Sequence, residues 1–158
     1  MSEKGQTLIE TVIALGAAVL VISAITVAVV SGLSNSQFSK AENLATNYAQ
    51  QGIEIVRQLS QSNWASFTSL TNTYYCLSSG SATLTQKGIN GCGQNIGTFV
   101  REVDIYQNSS ACQGSASAKL AVVVSWSDSK CTNVNNVYCH QVELDSCVAN
   151  LNSNITPP

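Results

Sequence analysis

The residue whose chemistry is hardest to ignore is Glu10. It lies at the lip of an apolar run, Thr11–Val30, made almost entirely of Val, Ile, Leu and Ala, and no residue from Thr11 to Ser39 carries a charge. At roughly 1.5 Å rise per residue such a run is long enough to cross a bilayer as a helix. A carboxylate in or near hydrocarbon costs about 2.5–3.5 kcal/mol on insertion scales, so Glu10 calls for a partner.

The other reactive side chains are few. His140 is the only histidine, and no G-x-S-x-G, H-E-x-x-H or P-loop pattern accompanies it, so an ordinary strand histidine is expected and no enzyme. Glu102, Asp104, Glu143 and Asp145 alternate along two strand candidates and lack any EF-hand-like spacing, which reads as a wet sheet face with no metal and no cofactor. Six cysteines follow the apolar run without a C-x-x-C, an arrangement that favours disulfides in an oxidising compartment over zinc.

Composition narrows the class. Of 158 residues only 10% are charged, the net charge is −2, and Ser, Thr, Asn and Gln supply most of the polarity. No basic surface for nucleic acid is implied. The apolar run is longer than the 7–15 residues typical of a signal-peptide core and continues smoothly into further helical sequence, so an uncleaved span is expected.

The stretch GQTLIE, after a short leader ending Lys4–Gly5, resembles the processing site of type IV prepilins and pseudopilins. The resemblance implies that a prepilin peptidase cuts between Gly5 and Gln6, that the new N-terminus on Gln6 is methylated, and that Glu10 is the glutamate used in assembly. Gln6 stands where the family usually has Phe or Met, and no proline interrupts the span near Thr26–Ala28. The second departure points to an unkinked helix. Cleavage would place an ammonium one helical turn before the Glu10 carboxylate, and an axial step between subunits would let the Gln6 amine of one meet Glu10 of another.

The elements that position these groups follow from periodicity. Beyond Val30, Phe38, Ala41, Ala45, Tyr48, Gly52, Ile55 and Leu59 recur at spacings of three and four, flanked by Leu44 and Val56, which predicts one helix from about Gln6 to Leu59. Its apolar first half suits lipid; its amphipathic second half suits a sheet. Ala14, Gly16, Ala17 and Ala18 form a small-residue patch where helices could approach closely. Residues 61–97 lose periodicity and read as a variable region between helix and sheet, with Trp64 an anchor beneath it. Strands are predicted at Thr98–Gln107, where Arg101 shares a face with Phe99, Val103 and Ile105, at Lys119–Trp126, and at Val137–Leu144. The expected fold class is therefore α+β, a long N-terminal helix packed on a small antiparallel sheet. The expected divisions are leader 1–5, filament-core helix 6–33, head helix 34–60, variable region 61–97, sheet 98–149 and a loose tail 150–158.

Six cysteines allow fifteen pairings. Cys131 and Cys139 flank the turn between the second and third strands. A three-stranded meander then brings Cys147 toward Cys112 and leaves Cys76 for Cys92. The function expected from the resemblance is that of a structural subunit of a type IV pilus-like filament. Its partners are the prepilin peptidase, other pilin subunits, the pilus assembly machinery and, before assembly, the cytoplasmic membrane, which it crosses once with its head outside. The alternatives are a pseudopilin of a type II secretion or competence system and a single-pass anchored binding domain that does not polymerise.

Overall fold

The structure, a computed structural model, describes residues 3–71, 73–112, 116–128, 131 and 140–150, with side chains from Thr7 onward. Helix α1 runs Glu3–Ser62, and a five-residue helix α2, Trp64–Thr68, follows it at once. Asn63 separates the two: its side-chain oxygen accepts from the Ser66 amide at 2.9 Å, satisfying one of the free donors at the start of α2. The strands are β1 (Tyr74–Cys76), β2 (Thr85–Gln86), β3 (Val100–Gln107), β4 (Ser117–Trp126) and β5 (His140–Ala149). All pairings are antiparallel, in the order β2-β1-β3-β4-β5. The fold is α+β, as expected from the helical and strand periods.

The sheet has five strands where sequence periodicity predicts three. The meander β3-β4-β5 stands, and the additional strands come from the region expected to be irregular. β1 and β2 are too short to carry a period of their own. β1 exists because β3 offers it a ladder, with Tyr75 opposite Val103 and Cys76 opposite Glu102. The third meander strand also lies later than expected: β5 extends to Ala149, while Val137–Cys139 fall outside the described residues.

The chain divides into two compact units, Met1–Lys40 and Ala41–Pro158. In the second, α1 meets the inward face of the sheet through Ala45, Ala49, Gly52, Val56 and Ser60, all buried. This line is rotated from the predicted stripe: Ile55 and Leu59 flank it half-buried, while Phe38 is 40% and Leu44 36% exposed. The reason is steric. Bulk comes from the sheet, where Val103, Ile105, Leu120, Val122, Val124 and Trp126 are buried, so the helix turns its small residues inward and approaches closely. A β-carbon at Gly52 would stand 2.9 Å from Val122 Cγ1 and 3.3 Å from Arg101 Cδ. Tyr48, Phe99 and Trp126 close one end in a chain of ring contacts at 5.3 and 5.8 Å.

Candidate assembly site

In the unit Met1–Lys40, none of the described side chains of helix α1 is buried. Leu8, Ile9, Val12, Ile13, Leu15, Val19 and Leu20 expose between 60% and 73% of their surface, and the most apolar stretch of the helix has mean hydropathy 2.7 with no buried residue. This is one helix long and apolar enough to cross a membrane. Three of its hydroxyls are satisfied within the helix. Thr11 Oγ1 donates to the Leu8 carbonyl at 2.9 Å, Ser23 Oγ to Val19 at 2.8 Å and Thr26 Oγ1 to Ile22 at 2.9 Å, so none of these hydroxyls needs water.

Glu10 differs from them. It is exposed on α1, and no hydrogen bond or ion pair reaches its carboxylate among the described side chains. Gly5 and Gln6 lie in the first turns of the same helix, and their side chains are outside those described. Gly16 in the small-residue patch has open space where a β-carbon would stand. A helix apolar around its whole circumference and carrying one carboxylate can do two things: lie in lipid, or pack among helices of its own kind.

The unit Ala41–Pro158 is stapled by disulfides among its described residues. Cys76 is bridged to Cys92 with Cα atoms 5.3 Å apart, fixing the 88–97 loop to β1. Cys112 is bridged to Cys147 at 5.7 Å, tying the β3-β4 connection to β5. Cys131 is also disulfide-bonded. Its expected partner, Cys139, lies outside the described residues.

At the centre of this body stands a group whose role the sequence left open. Arg101 was placed on the inward face by alternation, and it is 1% exposed. Its guanidinium meets carbonyls from three directions: Nε donates to Leu77 at 3.0 Å, one terminal nitrogen to Tyr48 at 3.1 Å and the other to Ser78 at 3.2 Å. Asn95 clamps the Arg101 backbone, donating to its carbonyl at 2.8 Å and accepting from its amide at 2.7 Å. Burial pushes the arginine below its ordinary pKa, partly offset by Tyr48. A guanidinium still remains ionised near neutrality.

The four strand carboxylates do gather on the outward face. Glu102 and Glu143 flank Val123 in one row, and Asp104 and Asp145 flank Ala121 in the next. Three of them have local partners. Lys87 meets Glu102 at 2.8 Å, Lys119 meets Asp145 at 2.8 Å, and Tyr106 hydrogen-bonds to Asp104. That bond and the adjacent negative charge push the Tyr106 phenol up to about 12, while the bond to Asp145 raises the Lys119 pKa. Among the described residues no cluster could hold a metal ion. His140 lies 2.9 Å from Asp128 and stacks on Trp126 at a centroid distance of 5.4 Å. Trp64 is half-buried against the core, 5.5 Å from Phe67.

Two features carried no signal in the sequence. Arg101 could be assigned a face but not its three acceptors, which come from other segments. Asp104 reads by type as a solvent-facing carboxylate, yet it is 5% exposed, opposite Tyr74 and bonded to Tyr106. Compared with known proteins, the chain matches no family model, no curated protein and no solved structure.

Proposed function

We propose that this protein is a structural subunit of a type IV pilus-like filament. A prepilin peptidase releases it between Gly5 and Gln6, it crosses the cytoplasmic membrane once with its stapled unit outside, and it then assembles through its N-terminal helix. The observation that carries this reading is the exposed apolar surface of α1 in Met1–Lys40 with Glu10 as the only charge between Gln6 and Ser39. A plain anchor needs no carboxylate at that depth, and a buried core helix would have a cover.

The chemistry is that of compensated charge. Cleavage creates an ammonium on Gln6, one turn from Glu10. Within one subunit the two groups are offset along the helix; across an axial step, the amine of one subunit neutralises the carboxylate of the next. Two charges that are costly to bury singly then enter the filament core together and set its register.

Two measurements test this. Mass spectrometry of the chain co-expressed with the peptidase should find Gln6 as the first residue, with added mass if the amine is methylated; an intact Met1 would remove the processing step. Glu10→Ala should leave membrane insertion unchanged and lower recovery in sheared filaments. Equal recovery of both proteins would return the chain to the class of single-pass anchored domains.

A further inference from the structure

The turn that joins Lys87 to Cys92 carries the only Asn-Gly pair in the chain, Asn90–Gly91. Gly88 and Gly91 bridge antiparallel across Ile89 and Asn90, and the Gly91 amide closes the turn on the Gly88 carbonyl at 3.0 Å. Gly91 takes φ 75°, a left-handed conformation that glycine adopts without strain. Cys92 follows and is bridged to Cys76 of β1, so the turn stands on a fixed base. Asn90 is exposed, and its side-chain amide makes no hydrogen bond among the described residues. Asn95, in the same loop, is locked: Nδ2 donates to the Arg101 carbonyl at 2.8 Å, Oδ1 accepts from the Arg101 amide at 2.7 Å, and the next nitrogen, that of Ile96, donates to the Phe99 carbonyl at 3.2 Å. Asn108 is exposed at φ 55°, but it precedes Ser109, whose side chain crowds the nitrogen that follows the asparagine. Exposure alone does not single out Asn90; the glycine after it does.

We propose that Asn90 deamidates spontaneously, so that this surface, which has no charged residue between Lys87 and Arg101, turns anionic as the protein ages. The Gly91 nitrogen gives up its proton to hydroxide and attacks the Asn90 Cγ. The N–Cγ bond forms, the Cγ–Nδ2 bond breaks and ammonia leaves. Water then opens the resulting succinimide at one carbonyl to give aspartate, or at the other to give isoaspartate. No oxidant and no second protein enters. The folded turn restrains the nucleophile through the Gly91–Gly88 hydrogen bond, and breaking one exposed bond slows the step by about tenfold at most. The product adds a negative charge to a chain of net charge −2, and its isoaspartyl form inserts an extra backbone atom just ahead of the Cys76–Cys92 bridge. The chemistry is intramolecular and does not depend on the filament reading.

The test incubates the full-length chain in detergent, at mildly alkaline pH and in heavy-oxygen water, then reduces it and digests it with trypsin. Cleavage after Lys87 and Arg101 releases a single peptide that carries both Asn90 and Asn95. Fragmentation should place the amide-to-acid mass gain and the heavy oxygen on Asn90, in aspartyl and isoaspartyl forms, with Asn95 unchanged and Asn108 converting more slowly. The rate should rise with hydroxide concentration. The same chain unfolded in denaturant sets the reference, and the folded chain should convert Asn90 within about tenfold of that rate. Replacing Cys76 and Cys92 together by Ser frees the base of the turn and should bring the rate closer to the unfolded one. Asn90→Gln should remove the gain at position 90 and leave that at Asn108. An Asn90 that stays intact in the folded chain long after the unfolded chain has converted would overturn the proposal, and so would conversion no faster than that of Asn95 or Asn108.

Discussion

The guanidinium of Arg101, on strand β3, donates to the carbonyl of Tyr48, on helix α1, across 53 residues of chain at 3.1 Å. The Tyr48 carbonyl sits in mid-helix, and the same arginine also reaches the Leu77 and Ser78 carbonyls. One cation thus joins helix, sheet and the start of the stapled loop. Among the described residues no carboxylate pairs with it: oriented backbone carbonyls take that place, accepting from its donors inside the core.

Removing it should be costly. Arg101→Met fills part of the volume but leaves the carbonyl of buried Leu77 without its side-chain donor, while the Ser78 carbonyl keeps the Ser81 amide; an orphaned buried acceptor costs about 1–3 kcal/mol. Arg101→Lys should also destabilise, because a single ammonium cannot span three carbonyls. Denaturant unfolding of the detergent-solubilised chain measures both. A loss under about 1 kcal/mol for Arg101→Met would mean that the three bonds contribute little.

Gly52→Ala tests how closely helix and sheet approach. With Val122 Cγ1 at 2.9 Å from the new carbon, something must shift, and overpacking of this kind costs about 1–3 kcal/mol. The better helix propensity of alanine recovers at most about 1 kcal/mol. Adding Val122→Ala removes the clash, so the double variant should be more stable than the sum of the two single losses, as a thermal unfolding cycle would show.

Tyr106 should titrate late. Its phenol is raised to about 12 by the Asp104 hydrogen bond and charge. The folded state therefore holds this proton more tightly than the unfolded chain. The associated stability is fully present below pH about 10 and is lost as pH rises through about 12. The phenolate absorbance difference between wild type and Tyr106→Phe should show the high transition, and Asp104→Asn should move it back toward 10.

The Cys112–Cys147 bridge closes a loop of 35 residues and the Cys76–Cys92 bridge one of 16. On chain entropy alone these restrain the unfolded state by about 4 and about 3 kcal/mol. Replacing Cys112 and Cys147 together by Ser should therefore lower stability more than replacing Cys76 and Cys92. The second change should instead loosen the Gly88–Gly91 turn, which limited proteolysis would detect as new cleavage after Lys87.

Periodicity and composition, read from the sequence alone, determine the long helix, its change from apolar to amphipathic, and the alternation of β3 and β4. These are local properties, since a lipid-length apolar run or a strand with one wet face declares itself residue by residue. The Cys76–Cys92 and Cys112–Cys147 pairings needed one more step, because they follow only once the strands are laid in a meander. Tertiary structure alone decided the rest. β1 and β2 are held by neighbours rather than by pattern. The buried line of α1 turned toward Ala49 and Val56 because Val122 and Arg101 occupy the space beside Gly52. The three acceptors of Arg101 lie 23, 24 and 53 residues away, and a convergence of that kind is a property of the packed chain, invisible in any window of sequence.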